Sequence, residues 1–226
     1  MSGPLYRPVG DTALMVEFGA VIDPALHDRV LALDAALAAA PFPGFEEAVP
    51  AYASLMVRFD PIQTDHAGAI RALSALLSHA PAARAEPARR EVAVCYDGGL
   101  GPDLDAVAEA AGISVEAVIA AHLSGDYSVF LYGFAPGYAY MAGVPEALRL
   151  PRKPAAVRDV PAGSVIIAGP QCLVTTLTMP TGWWRIGASP TAILTGDENH
   201  PFLFDVGDHV RFRRISLDDY NKGGRA

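Results

Sequence analysis

The chain has 226 residues, 51% of them hydrophobic and 19% charged, with a formal net charge of −8. That composition supplies a substantial core and excludes an intrinsically disordered chain. The acidic balance argues against nucleic acid or an anionic membrane as the main partner, although a local basic cluster can still hold a small anion.

Leu5–Pro8 and Thr12–Phe18 flank Gly10-Asp11 and read as a hairpin. Asp23 then caps a helix with Pro24 at its first position, and Leu26, Val30, Leu33 and Leu37 recur at helical spacing. Pro41-Phe42-Pro43-Gly44 stops it. Phe45–Val49 and Tyr52–Asp60 read as two further strands, and Thr64–Ser78 as a second helix with Ile70, Leu73, Leu76 and Leu77 on its buried side. The order β-β-α-β-β-α describes a small two-layer α+β domain over residues 1–86. Ala80–Arg90, rich in Ala, Pro and Arg, reads as the linker to a second domain over residues 87–226.

The second domain begins with a strand at Glu91–Tyr96 and a glycine turn at Asp97–Pro102. The turn glycines lack the Lys-Ser/Thr of a phosphate loop. Two short helices follow, Asp103–Ala111 and Val115–Leu123, with Gly112 ending the first and Ser114 capping the second. Strands are expected at Tyr127–Tyr132, Ser164–Ala168, Leu173–Thr178, Trp184–Ala188 and Val210–Ile215, a count and spacing that suggest a barrel or closed sandwich. The tail from Ser216 is polar and is expected to fray.

Between Phe130 and Pro190, glycines, prolines and aromatics alternate too closely for a helix. Ordered loops on a rigid sheet fit instead, and such loops are where sites usually sit. His122 precedes this stretch, either as a general acid or base or as a helix-end histidine favoured by the dipole. Arg152, Lys153 and Arg158 share one Pro-rich loop, which either grips an anion or is simply solvated. Gly163-Ser164 and Gly169-Pro170-Gln171 bracket an apolar strand, where glycine N–H groups, Ser164 and Gln171 offer hydrogen bonds to a ligand. Of Trp183 and Trp184, either one ring faces the core while the other faces out beside an arginine as a ligand wall, or both are packed barrel aromatics.

Cys95 and Cys172 share no metal spacing and point to buried thiols in a reducing compartment. No signal peptide or membrane-spanning run is visible, so the expected location is the cytoplasm. Asp197, Glu198, His200, Asp208 and His209 match no known ligand arrangement, and no metal is expected.

Gly-Phe-x-Pro-Gly-Tyr (133–138), Pro-Arg (151–152), Val-Pro-Ala-Gly-Ser-Val (160–165), Ala-Gly-x-Gln (168–171), Gly-Trp (182–183), Ile-Gly (186–187) and Gly-Asp-x-Val-Arg-Phe (207–212) together resemble the Kip-inhibitor family, also called allophanate hydrolase subunit 1 or the 5-oxoprolinase B subunit. The resemblance implies a mainly-β, cyclophilin-like barrel after the N-terminal α+β domain. It implies two partners, a Kip-antagonist-like C subunit and a LamB/YcsF-type A subunit. With them such chains form an ATP-dependent 5-oxoprolinase that opens 5-oxo-L-proline to L-glutamate, and a ureido substrate such as allophanate is a related possibility. In that reading His122, Arg152, Ser164 and Gln171 are catalytic, and Tyr138, Arg158, Gly163, Gly169, Trp183 and Arg185 bind substrate. Two alternatives stand beside it, a protein-interaction module inhibiting a histidine kinase and a carboxyltransferase-like accessory of a urea carboxylase system.

Overall fold

The computed structural model describes residues 3–78 and 87–223. Contacts divide the chain into two compact units, Met1–Glu86 and Pro87–Ala226. Most of the expected linker, Ala80–Arg90, lies outside the described residues.

In the first unit, strands β1 (Leu5–Val9), β2 (Ala13–Glu17), β3 (Phe45–Pro50) and β4 (Ser54–Phe59) form an antiparallel sheet in the order β1-β2-β4-β3. Helix α1 (Pro24–Ala39) starts where Asp23 accepts hydrogen bonds from the N–H groups of Ala25 and Leu26, at 2.8 and 3.1 Å. Helix α2 (His66–Ser78) starts two residues later than its apolar pattern predicts, because the Asp65 carboxylate accepts the Gly68 N–H. Val30, Leu33 and Leu37 of α1 and Leu73 of α2 pack on Leu14, Leu55 and Phe59 of the sheet.

The second unit is built from β5 (Arg89–Val94), β6 (Tyr127–Tyr132), β7 (Ala139–Ala142), β9 (Ser164–Ala168), β10 (Gln171–Val174), β12 (Trp184–Ala188) and β13 (His209–Arg214), in the order β12-β9-β10-β7-β6-β13-β5. A two-stranded ribbon of β8 (Val157–Val160) and β11 (Met179–Thr181) stands apart from that sheet. Among the described residues only β5 and β13 pair in parallel; the other pairs of this unit are antiparallel. The ends meet where Cys95, just past β5, and Ala188 of β12 exchange backbone hydrogen bonds of 2.8 and 2.9 Å. That bridge closes the sheet into a nearly complete barrel and protects both of its edges.

Helices α3 (Leu104–Ala111) and α4 (Val115–Ser124) bury Leu104, Val107, Val118 and Ile119 among the inward side chains of the barrel. Gly112, at φ 67°, ends α3, and Ser114 caps α4. Gly101 has no alternative before α3, since a Cβ there would stand 2.3 Å from the Ile186 carbonyl oxygen. Among the described residues no single helix is long and apolar enough to cross a membrane. Contrary to the expected fraying, Ser216 caps a short helix α5 (Leu217–Asn221), and Tyr220 packs against a cluster of Ala93, Cys95 and Ile215.

Candidate functional site

β9 is apolar on both faces, and this creates the site. Val165 and Ile167 enter the barrel core, while Ile166 and Ala168 face outward yet are also buried. Leu173, Tyr138 and Trp183 cover them, with Tyr140, Ala135 and Met179 partly buried alongside. The result is an aromatic run on the outer side of the barrel sheet, buried at Tyr138 and Trp183, half-buried at Tyr140 and exposed at Phe134. Its ring centroids follow one another at 5.6 Å (Phe134–Tyr138), 6.4 Å (Tyr138–Tyr140) and 5.9 Å (Tyr140–Trp183). The Tyr138 hydroxyl donates to Met179 Sδ at 2.5 Å, and burial pushes its pKa up to about 12, so it is a protonated part of the floor.

Arg152 ends this run, with its guanidinium carbon 5.6 Å from the Trp183 ring. Three contacts place it there. The Trp184 indole N–H donates to the Pro151 carbonyl at 2.8 Å, the Lys153 N–H donates to the Gly182 carbonyl at 2.7 Å, and the Lys153 ammonium pairs with Asp103. The same Asp103 oxygen accepts the Arg185 N–H at 2.6 Å. Asp103 sits at the N-cap position of α3 but gives that helix no side-chain bond, because its carboxylate is committed to β12 and the loop. Lys153 is therefore an anchor rather than an anion ligand. The Asp103→Ala variant leaves a half-buried ammonium unpaired and should lose about 2 kcal/mol, read as a melting temperature lower by roughly 5 °C with a changed tryptophan emission.

Arg185 leaves the same face of the sheet. It lies opposite Ile166 in register, whereas Trp184 packs against the barrel core. Among the described residues neither Arg152 nor Arg185 forms an ion pair, and the Arg185 Nε is buried without a hydrogen-bond acceptor. Gln171, opposite Ala168 and Ala142, shares the outward face at its margin. Burial raises the Tyr140 pKa and the Arg152 charge opposes it, which places that guanidinium within electrostatic reach of the phenol.

The structure separates the other expected residues from this face. His122 is 0% exposed inside the barrel, with Tyr96 Oη 2.7 Å from Nδ1 and Cys172 Sγ 3.6 Å from Nε2. Burial lowers its pKa to about 3. It cannot meet a substrate there, and its role is to pair buried polar groups. Ser164 is 1% exposed and its hydroxyl donates to the Pro161 carbonyl. The Gly163 N–H donates to the Thr175 carbonyl and its own carbonyl accepts from Ser189, while a Cβ would stand 2.6 Å from the Ser189 oxygen. The Gly169 N–H donates to the Leu150 carbonyl, and its φ of 53° serves the β9–β10 hairpin turn. These glycines keep no N–H for a ligand. Arg158 is exposed on the β8–β11 ribbon, and no contact among the described residues ties it to the aromatic face.

Hollows also lie elsewhere. One of about 290 Å³ is lined by Gly163, Thr175, Thr176, Ser189 and Thr191. Another, of about 630 Å³, is lined by Arg89, Arg211, His209, Asp126 and the C-terminal end of α4. Among the described residues no group of three or more His, Cys, Asp or Glu side chains is arranged to hold a metal ion.

The model of the carboxyltransferase domain, subdomain C and D, matches residues 4–204. The B subunit of 5-oxoprolinase from Bacillus subtilis (strain 168) is 39% identical over 225 residues, covering 94% of this chain and 93% of that protein. This chain belongs to the family of 5-oxoprolinase B subunits. The crystal structure of TTHA0988 matches at a TM-score of 0.80 and 39% identity, over 91% of this chain and 40% of that one, so the chain spans well under half of that longer protein. Kluyveromyces lactis urea carboxylase, at 18% identity, shares the fold with a TM-score of 0.79 over 97% of this chain and 22% of that one.

Family membership agrees with the motifs read from residues 133–212, and the geometry shows what those motifs build. Tyr138, Trp183, Arg152 and Arg185 meet on one face with Gln171 at its edge. Tyr140 and Phe134 join them, although the sequence motifs alone give neither a role in a site. Their signal was present in the sequence, as aromatic residues two and four positions from Tyr138.

Proposed function

We propose that this chain is the B subunit of an ATP-dependent 5-oxoprolinase, acting with a C subunit and a LamB/YcsF-type A subunit to hydrolyse 5-oxo-L-proline to L-glutamate. Relatives named as 5-oxoprolinase B subunits support this reading. The observation that carries it is the aromatic face flanked by two guanidinium groups that have no carboxylate partner among the described residues. 5-Oxoproline is a flat five-membered amide with one carboxylate. A flat ring fits an aromatic floor, and a carboxylate fits a guanidinium fork.

Each residue then has a task. Tyr140 and Trp183 receive the ring. Arg185 takes the carboxylate. Arg152 stands over the indole, where it stabilises negative charge growing on the amide oxygen. Tyr140, held protonated by burial, adds an O–H donor to the same oxygen. ATP supplies the driving force that makes a resonance-stabilised amide a good electrophile. The guanidinium pair fits an anionic group such as a phosphate, and the chain has no glycine loop ending in Lys-Ser/Thr. With His122 inside the barrel, the general base is assigned to a partner. A partner laid over this open face encloses the ligand and excludes water.

The test is reconstitution with the A and C partners and measurement of glutamate released from 5-oxoproline. Release that requires ATP and all three chains supports the proposal. No release from any mixture containing this chain rejects it.

A further inference from the structure

The β6–β7 connection contains one residue whose conformation nothing in the packing explains. The Ala135 N–H donates to the Gly133 carbonyl at 2.9 Å across Phe134, whose φ is 73°. That is a γ-turn of the positive-φ kind, rare and strained for any residue with a side chain. The Gly133 N–H also donates to the Tyr138 carbonyl, and the Tyr138 N–H donates to Ala135, so the loop is fully tied down. Yet the Phe134 side chain fills no core: the residue is 74% exposed and its ring touches only the edge of the aromatic run, 5.6 Å from Tyr138 at a 50° tilt. Glycines stand one residue before it and three after, while the position that glycine would relieve holds a large apolar ring.

A strained backbone that displays an apolar ring beside a ligand face is a feature that stability alone does not maintain. We propose that Phe134 is the wall of the 5-oxoproline site opposite Arg152, held out by the γ-turn so that its ring closes on the Tyr138 side of the flat amide lying over Tyr140 and Trp183. This rests on the function proposed above and adds a specificity-determining residue to it. Phe134 and Arg152 terminate the same run of rings at its two ends. An aromatic wall selects planar rings over extended amides of similar polarity.

The experiment compares Phe134→Gly and Phe134→Tyr with the parent chain in the reconstituted complex. Phe134→Gly should raise the melting temperature by about 3–6 °C by releasing the strain, and should raise KM for 5-oxoproline about 5- to 10-fold at little change in kcat. Phe134→Tyr should retain the parent KM. Both variants should assemble to the parent mass by size-exclusion chromatography. A lower melting temperature for Phe134→Gly means a structural role and overturns the inference, as does an unchanged KM. Loss of assembly makes Phe134 a docking residue for a partner and overturns it too. If the parent complex releases no glutamate, the proposed function fails; an active parent with an indifferent Phe134→Gly variant sinks this inference alone.

Discussion

Replacing Arg152 with alanine should lower kcat/KM for 5-oxoproline by about 10²–10³-fold, the range seen when one donor to a developing oxyanion is removed. The melting temperature should stay within about 2 °C, because exposed side chains outside the core contribute little to stability. The separation of effects follows from position. Arg152 touches the protein through the Trp183 ring, while the loop that carries it is held by Pro151, Lys153 and Asp103. Its removal leaves the loop in place and takes away only the charge. Arg152→Lys should recover part of kcat but little of the specificity, since an ammonium lacks the planar fork. Trp183→Ala should also lower activity, but with a loss of about 3 kcal/mol or more in stability, because Trp183 is 5% exposed and packs on Ile166 and Leu173. A steady-state assay with a parallel thermal melt distinguishes the two.

The second large effect is on acid stability. His122 titrates near pH 3 in the folded chain and near 6.5 when unfolded. The unfolded state therefore takes up the proton first. The stabilisation from a neutral His122 is complete above about pH 6.5 and is lost progressively as pH falls toward 3, at up to about 1.4 kcal/mol per pH unit. His122→Gln forfeits the pairing with Tyr96 and Cys172, so it should be less stable at pH 7 by about 2 kcal/mol. It should also lose most of the slope between pH 7 and pH 5, a window that precedes most carboxylate protonation. Urea titrations of both proteins at pH 7, 6 and 5 measure this. Equal slopes would contradict the buried, neutral state of His122.

Much of the architecture is legible residue by residue. Asp23 with Pro24, Gly112 and Ser114 mark helix boundaries because capping is local chemistry, and the structure has them in those roles. The glycine turn at Asp97–Pro102 is equally local, with Gly98 and Gly99 at positive φ. Depth is not local. His122 reads as a helix-end residue, since nothing in its neighbours in sequence announces that Tyr96 and Cys172 surround it. Ser164-Val165-Ile166-Ile167-Ala168 has no polar alternation, so periodicity alone does not separate the barrel face from the site face. Strands β7, β8 and β11, of four residues or fewer, fall below what a pattern reveals. The pairing of Lys153 with Asp103 joins residues 50 positions apart and depends on Gly101 letting the start of α3 approach β12. For the candidate site, the residue types were legible and their partition was not. Tyr138 with Tyr140 and Trp183 with Arg185 share one side through the two-residue alternation that runs into β7 and β12, Arg152 reaches it from a loop, and the serine, histidine and glycines are drawn into backbone bonding or the core.

The most direct measurement is a structure of the assembled complex with 5-oxoproline bound. The ring should lie against Tyr140 and Trp183, with its carboxylate on Arg185 and its amide oxygen toward Arg152. Density for the ligand in the threonine-lined hollow at Gly163, in the cleft at Arg89 and Arg211, or wholly on a partner chain would contradict the account.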